Sequence, residues 1–145
     1  MTTIFREGLR KLLEGSGDVQ IVGEASNGNE CIKMMVELKP DILLLDLLMP
    51  EKDGLGLLEE INFESVSTRV IVLTASEDDR DVIPAMRLGA RGVVLTKQSA
   101  SDLLLKSIRK VHEGEVWLDN RITADVIEAF KRSAEAGQRH EKPLL

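Results

Sequence analysis

Three polar side chains stand where apolar runs end: Asp46 after Ile42-Leu43-Leu44-Leu45, Thr74 after Val70-Ile71-Val72-Leu73, and Lys97 just beyond Val93-Val94-Leu95. In an open sheet of parallel strands, ligands collect at the carboxyl ends of the strands. A carboxylate, a hydroxyl and an ammonium delivered there would converge on one edge. That trio suits acceptance of a phosphoryl group, because a carboxylate attacks an anionic phosphoryl group poorly unless positive charge and hydrogen-bond donors lie close by. Taken singly, a strand-end aspartate is more often a cap or turn former, a threonine a plain strand residue and a lysine a solvated charge. Their order and placement relative to one another carry the reading.

The runs that deliver these residues show no polar alternation, as strands covered on both faces of a parallel sheet require. Pro50 and the Asp53-Gly54 pair turn the chain after Asp46. Helical patterns fill the intervals. Thr2 or Thr3 can cap a first helix with Phe5, Leu9, Leu12 and Leu13 on one face, ending at Gly15-Ser16-Gly17. A short strand is expected over residues 19–24. A second helix over residues 27–38 would turn Cys31, Met34, Met35 and Leu38 inward before Pro40 stops it. A third runs through Leu55, Leu58 and Ile61. A fourth carries Val82, Met86 and Leu88 and is expected from about Asp81, because Pro84 is tolerated only in a first turn. A fifth over residues 99–113 turns Leu104, Ile108 and Val111 inward and Lys106, Arg109 and Lys110 outward. Strands alternating with helices select a parallel α/β sheet with right-handed crossovers.

At 145 residues and 43% hydrophobic content, the chain fits one ordinary domain able to bury its own core. The single Cys31 cannot form an internal disulfide and falls in a helical apolar pattern, where it reads as structural. No charged-then-apolar leader or long apolar run is present, so a cytoplasmic protein without a membrane partner is expected. The net charge of -6 argues against these residues gripping nucleic acid by themselves. The acidic Glu77-Asp78-Asp79 run reads as a solvated loop.

The ordered set, Asp46 with Met49-Pro50 and Asp53-Gly54, then Leu73-Thr74-Ala75, then Gly89-Ala90-Arg91-Gly92 leading to Lys97, resembles the receiver domain of two-component response regulators. The stretch from Glu115 to Asn120 resembles the close of receivers of the NarL/FixJ (LuxR-type) subfamily. The resemblance covers most of the chain and implies a flavodoxin-like, doubly wound α/β fold. It implies a receiver over residues 1–118, a linker helix over 119–136 and a flexible tail over 137–145. The linker stripe of Ile122, Val126, Ile127 and Phe130 would pack on the receiver or pair two chains. By the same resemblance Asp46 takes a phosphoryl group from a sensor histidine kinase. Lys97 pairs with one phosphoryl oxygen, Thr74 hydrogen-bonds another, and Mg2+ is held by Asp46 and the backbone carbonyl of Leu48. The implied role is signalling rather than enzymatic. It includes a homodimer with candidate contacts at Met86, Arg87, Lys106, Arg109 and Lys110, and DNA reached only through a helix-turn-helix domain outside these residues.

Three departures from the family pattern stand out. Receivers open with a strand ending in two adjacent acids that hold Mg2+, and neither the strand nor the pair precedes Phe5; Glu7 and Glu14 lie on the first helix and cannot substitute. Weak metal binding is therefore expected, as is a natural start upstream of Met1 and a gap beside residues 19–24 that leaves backbone groups unpaired. The family lysine falls four residues after the glycine matching Gly92, which here is Thr96. Either a one-residue bulge brings Lys97 to the edge or the pocket is altered. The chain also has no tyrosine, and Val93 or Val94 stands where the family keeps its aromatic switch. Two other functions compete. A pseudo-receiver, serving as an interaction module without phosphate turnover, draws support from the missing acids. A haloacid dehalogenase-type enzyme would need a second aspartate where Leu48 stands, which sets it aside.

Overall fold

The computed structural model describes residues 3–47, 54–61, 65–74, 79–95, 101–118 and 131–132. The elements run α1 (Thr3–Gly15), α2 (Gly28–Leu38), β1 (Ile42–Asp46), α3 (Gly54–Glu60), β2 (Arg69–Thr74), α4 (Asp79–Arg87), β3 (Gly92–Leu95), α5 (Ser101–His112) and β4 (Trp117–Leu118). All four strands pair in parallel and lie in chain order, β1-β2-β3-β4.

Successive strand residues point to opposite faces, so the uninterrupted apolar runs split into two cores. Leu45, Val70, Val72 and Val93 meet α2, α3 and α4 through Cys31, Met35, Leu57, Leu58, Val82 and Ala85. Ile71, Leu73 and Val94, with Leu44 beside them, meet α1 and α5 through Leu13, Leu104, Ile108 and Val111. Helices on both faces of a parallel sheet make the expected doubly wound, flavodoxin-like architecture. Burial also pushes the Cys31 thiol above its ordinary pKa, in keeping with a structural role.

Local chemistry sets the boundaries. Asn27 caps α2 by accepting the Glu30 amide at 2.9 Å, and Lys39 closes it in the left-handed region at φ 48 before Pro40. After α4 the amide of Gly89 reaches Met86 O at 3.2 Å and that of Ala90 reaches Ala85 O at 3.0 Å. This double cap demands the φ of 113 that Gly89 adopts. Gly92 opens β3 where a Cβ would sit 3.3 Å from Val111 Cγ2. The Gly-Ala-Arg-Gly motif is thus a helix stop followed by a close strand-helix contact.

Four expectations need correction. Residues 19–24 join no sheet among the described residues; they run beside α1, where Glu24 pairs with Arg10 and lies 3.7 Å from Arg6. No described strand lies beside them to supply ladder partners, so packing and ion pairs hold them. Leu38 does not turn inward: it is 46% exposed, and its Cδ1 lies beside Gly23, which has no side chain to cover it. Helix α4 begins at Asp79, two residues before the expected start, and carries Pro84 inside it. The Leu88 amide still reaches Pro84 O at 3.0 Å, so the turn after the proline closes normally. Met86 is buried with Val82 and Ala85, which removes it from the candidate surface contacts and leaves Arg87 and Lys106 exposed. Strand β4, two residues on the far edge, is too short to announce itself by periodicity and is not among the expected elements. The linker stripe from Ile122 to Phe130 lies outside the described residues; Lys131 and Arg132 are helical.

Candidate functional site

The site is built at the carboxyl ends of β1 and β2. Thr68 starts the pairing by donating its hydroxyl to Pro40 O at 2.6 Å, and the Arg69 amide reaches Asp41 O at 2.9 Å. From there the register runs unbroken, Ile42 opposite Arg69 through Asp46 opposite Leu73. The ladder continues one step past Asp46, where the Leu47 amide donates to Leu73 O at 3.3 Å. Leu45 and Leu47 on either side of Asp46 are both buried in the core facing α2, α3 and α4. Period-two geometry therefore sends the half-buried Asp46 carboxylate away from that core.

Thr74 ends β2 one residue beyond the partner of Asp46, and it is itself in register with Leu95 of β3. With strands about 4.8 Å apart and a rise of about 3.3 Å per residue, the two Cα atoms lie roughly 6 Å apart. The Thr74 side chain is only 7% exposed, so its hydroxyl sits in the wall of the edge rather than in bulk water. The structure thus places Asp46 and Thr74 at neighbouring strand ends of one edge, while the alternation that turns Asp46 away from the α2, α3 and α4 face turns Thr74, two residues after Val72, toward it. Lys97, Thr96 and Leu48 lie outside the described residues, as do Met49, Pro50 and Asp53.

Sequence reasoning passed over the residues that aim the pair. Thr68 reads as a loop residue, yet it is 3% exposed and fixes where β1 meets β2. Arg69 reads as the first residue of a strand. Its guanidinium in fact donates to Val111 O at 3.3 Å and His112 O at 2.6 Å, tying the strand that carries Thr74 to the end of α5. No local signal could have shown a partner 43 positions away.

A divalent cation can be tested against this edge. Mg2+ asks for near-octahedral oxygen ligands, commonly one or two carboxylates with waters. Among the described residues no group of three or more His, Cys, Asp or Glu side chains gathers to hold a metal. The described residues alone do not compose a metal site, and the expected Leu48 carbonyl is not among them. No described helix is long and apolar enough to cross a membrane.

Comparison with known proteins supplies the family. The response regulator receiver domain matches residues 2–109. The transcriptional regulatory protein LiaR of Bacillus subtilis is 35% identical over 138 residues, covering 95% of this chain and 65% of its own length. The nitrate/nitrite response regulator protein NarL of Escherichia coli is 33% identical over 141 residues, covering 97% of this chain and again 65% of its own. The chain therefore spans about two thirds of these relatives. Among solved structures, the receiver domain of a NarL response regulator from Mycobacterium tuberculosis superposes with a TM-score of 0.72 at 32% identity, over 77% of this chain and 90% of that one. A structure of two RcsB dimers bound to two parallel DNAs gives 0.75 at 27%, over 83% of this chain and 61% of that one. With a receiver match over most of its length and NarL- and LiaR-type regulators as its relatives, the chain belongs to the response regulator receiver family.

Proposed function

We propose that this receiver is a phosphoacceptor module that takes a phosphoryl group from a sensor histidine kinase on Asp46 and so regulates a transcriptional output domain. The supporting observation is the placement of Asp46 and Thr74 on adjacent strand ends of one sheet edge, one register step apart. In the reaction a carboxylate oxygen of Asp46 attacks phosphorus in line. The phosphorus–nitrogen bond of the kinase phosphohistidine breaks, the imidazole leaves with the electron pair and is protonated, and an aspartyl phosphate forms. The Thr74 hydroxyl donates to one phosphoryl oxygen and the Lys97 ammonium pairs with another, countering charge where it accumulates.

Receiver domains as a family bind Mg2+ at the phosphorylation site. Here Asp46 would be one ligand and the Leu48 carbonyl a second, and the bound ion would counter negative charge on the phosphoryl oxygens. The relatives are regulators rather than classical enzymes, which fits a module whose product is its own modified state. Residues 1–118 form the receiver in this reading, 119–136 a linker helix and 137–145 a tail. A homodimer matches paired half-sites, as in the RcsB dimers on DNA, with DNA touched by a helix-turn-helix domain beyond these residues. The cellular setting is cytoplasmic.

A second reading is a pseudo-receiver that binds partners without taking phosphate. Incubation with a small acyl phosphate and Mg2+, read by intact mass, separates the two. One phosphoryl group on the wild-type chain and none on Asp46→Asn supports the phosphoacceptor. No uptake by either supports the pseudo-receiver, and equal uptake by both removes Asp46 from the site.

A further inference from the structure

We draw no further inference here: the strongest candidate, the outer edge of β1 with the unladdered residues 19–24 and the exposed Val22 and Leu38 nearby, is a strip of apolar sheet and flank for which nothing in the structure shows what covers it.

Discussion

The guanidinium of Arg69 donates to the backbone carbonyl of His112 at 2.6 Å, so the first residue of β2 caps the last residue of α5. Carbonyls at a helix C-terminus lack intrahelical donors and carry partial negative charge, and a cation there answers both. Arg69→Met keeps the apolar stem and removes the charge and the donors. It should lower stability by about 1–2 kcal/mol, read as a lower urea midpoint with an unchanged slope. A midpoint equal to wild type would show that water replaces the cap at no cost.

Gly92→Ala tests the contact between β3 and α5. The new methyl would lie 3.3 Å from Val111 Cγ2 and 3.4 Å from Ile71 Cγ1, both fully buried in the same core. Neither can swing into open space, so destabilisation of roughly 1–3 kcal/mol is expected. Adding Val111→Ala should cost less in the Gly92→Ala background than in wild type, because the space it frees relieves the clash. Strict additivity of the two would place the strain elsewhere.

Thr74→Ala should leave Asp46 as the only labelled residue but slow phosphoryl uptake roughly tenfold, the scale of one hydrogen bond to a charged group. Thr74→Ser keeps the hydroxyl and should recover most of the rate. If Ala and Ser behave alike, the hydroxyl does not touch the phosphoryl group and Thr74 is only a strand residue.

The ion pair between Asp18 and Arg109 carries a pH signature. The Arg109 guanidinium, donating to Asp18 at 2.8 Å, holds that carboxyl below its ordinary pKa, with the Ser16 hydroxyl adding to the effect. A folded-state value below the unfolded one means that the stabilisation is present above about pH 3.9 and fades as pH falls from there through the folded value. Both side chains are about half exposed, so the contribution is small and screened by salt. Acid unfolding of Asp18→Asn should lack this component, and its difference from wild type at neutral pH should shrink at high salt. A difference that persists at low pH or in salt would assign Asp18 a role other than charge.

What could be read from residues alone was whatever depends on near neighbours. The bounds of β2, Arg69–Thr74, follow from an apolar run between an arginine and a threonine, and the cap of α2 follows from Asn27 ahead of a helical stripe. The strand-end placement of Asp46 and Thr74 was legible because each lies at the end of such a run. Leu38 and Met86 were misplaced for one reason: helical spacing tells which residues share a face, while burial depends on what lies opposite. Leu38 meets a bare glycine and stays in water, whereas Met86 finds α4 packed into the core. The start of α4 was misplaced for another, since the first-turn preference of proline was outweighed and the helix runs from Asp79 through Pro84. Residues 19–24 have strand composition but no ladder, because strand formation needs a partner that composition does not reveal.

Residues 19–24 are fastened by side chains, chiefly Glu24 to Arg6 and Arg10 with Val19 and Ile21 against the α1 face of the core, while their amides take no part in the sheet. Protection from solvent hydrogen exchange should therefore be uneven along the chain. The amides of β2, bonded on both sides between β1 and β3, will exchange only on global opening. Those of residues 19–24 will exchange through a local detachment that breaks two ion pairs and uncovers a few apolar side chains. Residues 19–24 then form a fast segment beside a slow sheet, with the boundary running between β1 and the segment that precedes α2.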